Sequence, residues 1–271
     1  QNMSVLGTTD DDYYGDLYDV VATHVEVQYL FEAIARVFPS IRGARAIGTW
    51  GGVRPTIHEW GTLEDALSRE HAIVDHEEHG APGLFSMVGG KLASYRLFAE
   101  EMSDVLAARL GRSERCQTAV LALPGGDVAP SVDDLVRDHG VEPLAAERLL
   151  FRHGARSLRV LDVAREHPEQ KRVVCACEPV LEAEVRYVVR NEWAVSVDDV
   201  SRRTRLGLGS CGGMRCAVSC GRIVAEEREL APREGIELAA SFLDGALRRR
   251  LPAMVPEQAR QEALAAAHLG A

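Results

Sequence analysis

The cysteines of this 271-residue chain form the pattern that most restricts its fold. Cys175 and Cys177 are one residue apart and Cys211 and Cys216 are four residues apart, so four of the six cysteines form two close pairs. Two helical segments are predicted between the pairs, one around residues 180–193 and one capped at Ser196. A helical hairpin would bring the pairs together on turn-rich loops whose backbone N–H groups are free to hydrogen-bond sulfur.

Two thiol pairs with this spacing predict a metal centre rather than a set of merely buried thiols. Zinc on four thiolates is one interpretation, although common zinc sites use C-x2-C knuckles. A [2Fe–2S] cluster on the same four thiols fits both the spacing and the glycine-rich loop. The segment also resembles the bacterioferritin-associated-ferredoxin-like [2Fe–2S] domain, which implies the cluster as occupant and zinc as the less favoured alternative. Cys220 is a fifth thiol for which a packed side chain and a spare ligand are the two alternatives, and Cys116 receives no role.

Composition excludes some classes of function. A net charge of −10 argues against nucleic acid as a partner, because phosphate backbones require clustered basic surface. No apolar run approaches the roughly 20 residues of a membrane span, and the acidic N-terminal segment does not have the pattern of a signal peptide. The cysteine spacing is typical of metal binding in a reduced compartment rather than of disulfides.

Residues 88–96, VGGKLASYR, contain one of only two lysines among 31 basic residues. A strand that passes through Gly89 and Gly90 into a helix start presents backbone N–H groups with a positive dipole behind them. Glycines let a flat ligand approach the backbone, and Lys91 adds a full positive charge beside it. The alternative is an ordinary tight turn with a solvated lysine.

The stretch WGGVRPTI places Arg54 at a predicted strand end beside a flexible loop. An arginine held in this way suits bidentate recognition of a carboxylate or a phosphate. Arg69 is a possible second contact, and a surface salt bridge is the alternative for each arginine. Residues 207–212 also match G-x-G-x-x-G, but an arginine-rich helix precedes them where a dinucleotide site needs a strand, so that function is rejected.

Periodicity outlines the remaining elements. A helix with a Thr23–Glu26 capping box is predicted up to Pro39, and another from Leu92 to Leu110. A strand end that runs into a polar, glycine-containing turn is predicted at 5–10, and strands are predicted within 44–55 and within 70–90, with a hairpin-like loop in the last region. Short helices follow from a capping pattern at Ser131 and Asp134 to about residue 167, and the tail from residue 231 is helical with a break at LPAMVP.

Four motifs appear together in the order and spacing of FAD-dependent glycerol-3-phosphate dehydrogenases. They are GTTD…YYGD, WGGVRP, SRE…I.DH…G and GGKLASYR. The following LPGGD and helical segment also look like that family's C-terminal domain, and the cysteine module makes the anaerobic type, with its catalytic A subunit, the closest match. The resemblance covers Leu6 to about Glu227.

The resemblance implies site residues and a reaction. Arg54, with Arg69, would hold the phosphate of sn-glycerol 3-phosphate, and Gly89, Gly90, Lys91, Leu92 and Ala93 would hold the flavin ring. Lys91 and Arg54 would be catalytic, with His58 nearby and no general base assigned. The substrate would be oxidised to dihydroxyacetone phosphate, and electrons would pass through the cluster to other subunits and quinone. The family's usual Thr-Thr after GGKL is Ala93-Ser94 here.

The implied fold class is α+β: the distal half of a glutathione-reductase-like or D-amino-acid-oxidase-like flavoprotein domain, a helical domain and a small all-α [2Fe–2S] domain. The expected domains are 1–98 for FAD and substrate, 99–168 helical, 169–230 for the cluster, and a helical tail at 231–271. Nothing before Gly7 supplies the family's G-x-G-x-x-G. The chain is therefore expected to be a distal part, inactive alone, cytoplasmic and peripheral on the inner membrane face.

Two alternatives remain. One is a stand-alone iron–sulfur or zinc module that binds a partner. The other is a related flavin-dependent amine or hydroxy-acid oxidase with the same ring-binding helix.

Overall fold

The computed structural model describes residues 4–54, 56–57, 59–62, 66–68 and 70–269. The chain divides into two compact units, one formed by residues 1–6, 21–50 and 123–271 and the other by residues 7–20 and 51–122. Helices dominate the larger unit, and the strands of the described residues form two two-stranded ladders. None of the described helices is long and apolar enough to cross a membrane.

The smaller unit is built on one antiparallel hairpin and one helix. Strand β1 (His71–Asp75) pairs with β2 (Phe85–Gly89), with Ile73 opposite Met87. A short 3-10 turn then leads into helix α2 (Tyr95–Arg109). The predicted strands within 70–90 and the predicted helix are therefore confirmed, although the regular helix begins three residues after Leu92.

Two other strand predictions for the front of the chain are wrong. Residues 5–10 and the described part of 44–55 contain no strand. A strand requires a neighbour for its backbone hydrogen bonds, and the one ladder that the described residues of this region form is already complete as a hairpin. The short apolar runs of these stretches were thus not sufficient to make them strands.

The larger unit begins with helix α1 (His24–Ala35), whose predicted Thr23–Glu26 capping box is present. The predicted box at Ser131 and Asp134 also opens its helix. The helices that follow in this unit are α3 (Val132–His139), α4 (Pro143–His153), α5 (Ser157–Asp162), α6 (Glu182–Glu192), α7 (Val197–Thr204), α8 (Ala217–Glu227), α9 (Pro232–Arg250) and α10 (Pro256–Leu269).

The cysteine segment was predicted to be all-α, and this prediction is wrong because the segment contains two short strands. Strand β3 (Val173–Cys175) pairs with β4 (Val180–Leu181) through an irregular register that sets Cys175 opposite Val180. Cys175 is the last residue of β3, and Cys177 lies in the non-helical turn between the two strands. The predicted helical hairpin is present as α6 and α7, and the Ser196 hydroxyl accepts from the Asp199 N–H as a cap.

One apolar core runs through most of the larger unit. It joins the α3–α5 region to the cysteine loops and to helices α6–α9, with fully buried side chains that include Leu135, Leu149, Val185, Val224 and Phe242. Burial of a Leu or Phe side chain contributes about 1.5–3 kcal/mol each. The helical segment before residue 168 and the cysteine segment after it therefore share one core.

Helices α8 and α9 cross at two glycines. A Cβ at Gly221 would lie 2.1 Å from the Gly235 carbonyl oxygen, and a Cβ at Gly235 would lie 2.8 Å from the Gly221 carbonyl oxygen. Backbones can approach so closely only where both side chains are missing. This contact holds α8, which follows Cys216 directly, against α9.

Replacement of Gly221 by alanine should therefore destabilise the fold. A methyl group there meets backbone that cannot move aside, and overpacking of this kind costs about 1–3 kcal/mol. The matched control is Gly245→Ala in α9, where the new Cβ would meet only the Arg249 guanidinium, at 3.4 Å. The control should gain about 0.5–1 kcal/mol, since alanine is the better helix former. Denaturant unfolding measures both; equal midpoints for the two variants would contradict the crossing.

Candidate metal centre and flanking sites

The four paired cysteines lie on two loop segments, the first just before α6 and the second just after α7. Cys175 ends β3 and Cys177 lies in the β3–β4 turn. Cys211 lies in the turn that follows α7, and Cys216 is the N-cap residue of α8. The hairpin reverses the chain, so the loops meet although they are more than thirty residues apart in sequence.

The thiols pair across the two loops rather than within them. The Sγ atoms of Cys177 and Cys211 are 3.7 Å apart. The Cys175 and Cys216 thiols hydrogen-bond to each other. Two thiolates on one tetrahedral metal with bonds of about 2.3 Å would be about 3.8 Å apart. The Cys177–Cys211 separation is therefore close to that of two ligands on one metal ion.

The two cross-loop pairs differ in burial. Cys175 and Cys216 are each 1% exposed, whereas Cys177 and Cys211 are half-buried. Among the residues that the structure describes, no group of three or more His, Cys, Asp or Glu side chains is gathered so that it could hold one metal ion. The donors are thus arranged as two pairs and not as one four-sided cage.

Hydrogen bonds favour one thiolate in each pair. The Cys216 thiol, with backbone N–H groups that include that of Gly207, lowers the pKa of Cys175 to about 5. The pKa of Cys216 is raised in turn, by its hydrogen bond to Cys175 and by burial. In the other pair burial opposes ionisation of Cys211, but the backbone N–H groups of Arg215 and Gly213 outweigh it and lower its pKa. Thiolate is the form that binds metals.

The pKa of Cys177 moves in the opposite direction from that of Cys211. It is raised, first by the hydrogen bond between the two thiols and then by burial. In each cross-loop pair one thiol is therefore favoured as the thiolate and the other holds its proton more tightly; a bound metal would displace such protons.

Three glycines in the second loop, which follows α7, allow it to pack closely against Cys177 and Phe242. A Cβ at Gly209 would lie 2.3 Å from Cys177 Cβ. Gly207 and Gly213 have φ values of +81° and +88°, and a Cβ at either would lie within 2.6 Å of the Phe242 ring. These glycines therefore serve the packing of the cysteine loop. Helix α7, not a strand, precedes them, which agrees with rejection of a dinucleotide site.

The remaining cysteines differ from the four. Cys220 is buried in α8, and burial followed by the nearby Cys175 raises its pKa to about 12. Cys116 lies in the smaller unit, and its sulfur is 3.0 Å from the Thr118 hydroxyl.

Arginines fix the loop that carries the first cysteine pair. The Arg205 guanidinium donates to both carboxylate oxygens of Glu178, at 3.3 and 3.4 Å. Arg152 in α4, which the sequence analysis missed, donates to the Pro179 carbonyl at 2.7 Å and to Glu184 at 2.5 and 2.9 Å. The Arg152 side chain is 3% exposed and that of Glu184 is 0% exposed. No sequence pattern links Arg152 to cysteines more than twenty positions away.

The glycines of VGGKLASYR approach the chain itself. Gly89 and Gly90 have φ values of +74° and +85°, and added Cβ atoms would lie 2.4 Å from the Glu70 carbonyl oxygen and 2.0 Å from the Phe98 ring, respectively. Lys91 is exposed at the start of the 3-10 turn. Leu92 is 88% exposed, and Ala93 is exposed as well. The helix-start residues therefore leave a surface on which a ring could lie.

Of the two arginines predicted to bind the phosphate, Arg54 lies within the residues that the structure describes. The Arg54 Nη1 atom is 2.9 Å from an Asp10 carboxylate oxygen, and both side chains are about two-fifths exposed. The WGGVRP and GTTD motifs therefore meet. Arg69 and His58 lie outside the described residues.

The sequence of this chain is similar to those of known proteins. Residues 116–234 match the model of the C-terminal domain of alpha-glycerophosphate oxidase. The A1 subunit of the anaerobic glycerol-3-phosphate dehydrogenase of Haloferax volcanii is 33% identical over 91% of this chain and 41% of its own length. The A subunit of the corresponding enzyme of Escherichia coli K12 is 32% identical over 89% of this chain and 44% of its own.

A solved structure has a similar fold. The glycerol-3-phosphate dehydrogenase of Bacillus halodurans, determined in complex with FAD, superposes with a TM-score of 0.66 at 24% identity, covering 92% of this chain and 50% of that one.

The chain spans about two-fifths of the length of the curated relatives it matches. The resemblance predicted from the motifs is confirmed: the chain is similar over most of its length to the A subunits of anaerobic glycerol-3-phosphate dehydrogenases, and residues 116–234 match the C-terminal domain of alpha-glycerophosphate oxidase.

Proposed function

We propose that the chain is the distal part of an FAD-dependent sn-glycerol-3-phosphate dehydrogenase that carries its own electron-transfer centre. The observation that carries this proposal is the meeting of the two thiol pairs across the α6–α7 hairpin, with Cys177 and Cys211 3.7 Å apart. Similarity to the A subunits of the anaerobic enzymes supplies the reaction class, the oxidation of glycerol 3-phosphate to dihydroxyacetone phosphate.

The arrangement of the donors favours a [2Fe–2S] cluster over zinc. A single zinc ion needs four donors around one point. A two-iron cluster needs two thiolates on each iron, which two separate pairs provide. Cys175 with Cys216 would form one pair of ligands, and Cys177 with Cys211 the other. When bound, such a cluster accepts and releases single electrons.

The loops around the thiols suit a charged inorganic centre. Backbone N–H groups already donate to the sulfur atoms of Cys175 and Cys211. Hydrogen bonds to ligand sulfur stabilise the thiolate charge and tune the properties of the centre. The half-buried pair lies nearer the surface and would be the side that partners approach.

We also propose that the smaller unit contributes to a flavin site and a substrate site. FAD, when bound, supplies the hydride acceptor. Lys91, Leu92 and Ala93 would lie along its ring, with Gly89 and Gly90 fixing the turn that presents them. The Lys91 ammonium would stabilise negative charge there, and the Arg54 guanidinium, with Arg69, would hold the substrate phosphate.

Electrons would leave toward other dehydrogenase subunits and the quinone pool. Because no described helix can span a membrane, contact with that pool would depend on partner subunits at the inner face of the membrane. A partner-binding zinc module and a related amine or hydroxy-acid oxidase remain the alternatives.

Metal analysis after anaerobic purification tests the centre. We expect iron and acid-labile sulfide in equal amounts, with the visible absorption of a cluster. Cys177→Ser should abolish the absorption, since it removes one ligand. Cys116→Ser, which changes a thiol in the other unit, should leave it unchanged. Zinc in place of iron, or a full spectrum in the Cys177 variant, would contradict the assignment.

Steady-state kinetics of the complete catalytic polypeptide test the phosphate site. Arg54→Ala should raise KM for glycerol 3-phosphate about tenfold to a hundredfold, since a hydrogen bond to a charged group is worth about 1.5–3 kcal/mol. The control is Arg112→Ala, an exposed arginine of the same unit that is paired with Glu114. An unchanged KM in the Arg54 variant refutes the role.

A further inference from the structure

The larger unit contains a cleft of about 730 Å³ that the proposed function does not use. Residues 124–127 form one wall, and the other walls come from residues 155–159, the C-terminal end of α6 and Arg203. The base is fixed by backbone contact: the Ala155 N–H donates to the Gly125 carbonyl at 3.0 Å, and a Cβ at Gly154 would lie 2.1 Å from that oxygen. The volume lies within the range of small-molecule sites.

The three arginines of the cleft are used to different extents. Arg156 is committed to the protein, because it donates to the Tyr187 hydroxyl at 3.0 and 3.2 Å and pairs with Glu192. Arg203 donates from Nη1 to the Asp199 backbone carbonyl at 3.0 Å, and its nearest carboxylate oxygens lie 3.8 and 3.9 Å away. Arg159 is exposed and forms no ion pair with any described residue. Arg159 is thus available to an incoming anion, and Arg203 keeps further N–H donors for it.

Trp193 makes the cleft unusual. It ends α6 with φ at +52°, a conformation in which glycine is preferred because a side chain is strained there. Its side chain gains little burial in return, since it is 85% exposed. A bulky aromatic residue in a strained and unburied position is a typical feature of functional sites.

We propose that this cleft binds a planar aromatic anion of nucleotide size. The ring would stack on the Trp193 indole, and the phosphate or carboxylate would be held by Arg159 with Arg203. The lining carries three arginines against two carboxylates, Asp127 and Glu192, and is net positive in a chain with a charge of −10. The carboxylates would accept from hydroxyl or amino groups of the ligand. This site is independent of the thiol centre.

Fluorescence of the full chain with Trp50→Phe and Trp60→Phe, which leaves Trp193 as the only tryptophan, tests the proposal. Titration with ADP should quench the emission saturably, and calorimetry should give the same Kd. Adenosine and inorganic phosphate, which supply the ring and the anion separately, should each bind at least about tenfold more weakly. No saturable change with ADP, or equal affinity for adenosine, overturns the proposal.

Two variants separate the site from the fold. Arg159→Ala should raise the Kd for ADP by at least about tenfold, whereas Arg222→Ala, an exposed arginine outside the cleft, should not change it. Trp193→Gly, measured by calorimetry, should raise the Kd similarly while its thermal unfolding temperature stays equal or rises, because glycine relieves the backbone strain. Unchanged binding in either cleft variant overturns the proposal.

Discussion

The closure of the glycine loop at 207–213 over Cys177 and Phe242 is the contact on which the thiol arrangement depends. Without a Cβ at Gly209 the loop can lie against Cys177, and Gly207 and Gly213 let it pass over the Phe242 ring. Phe242 belongs to α9, which the Gly221–Gly235 crossing holds against α8. The 3.7 Å separation of Cys177 and Cys211 is therefore set by backbone packing and not by the thiols alone.

Local chemistry made part of the fold predictable from the sequence. The capping boxes at Thr23 and Ser131, the hairpin at residues 71–89 and the α6–α7 hairpin all follow from residue types within a few positions of each other. The failed strands at 5–10 and 44–55 depended on neighbours that a local pattern does not reveal. The β3–β4 ladder was missed because two strands of three and two residues are too short to show alternation.

For the candidate thiol site, too, the sequence predicted local features but not contacts between distant segments. Spacing and glycine content identified the four cysteines, but spacing suggested pairs within each loop, whereas the thiols contact each other across the loops. The role of Arg152 could not be predicted from the sequence, because it depends on tertiary packing of α4 against the turn after Cys177. Gly89 and Gly90 were predicted to approach a ligand. In the structure Gly89 packs against the Glu70 carbonyl and Gly90 against the Phe98 ring.

The shared core argues against a detachable cysteine module. Arg152 joins α4 to both Pro179 and Glu184, and each of these partners would lose a buried hydrogen bond if the α3–α5 region were absent. Glu184, whose side chain has no exposed area, would lose the buried cation that pairs with it. Leu135, Leu149 and Val160 would leave the same core. The thiol loops thus pack on the preceding helices, and this shared core argues against a cysteine module that folds by itself.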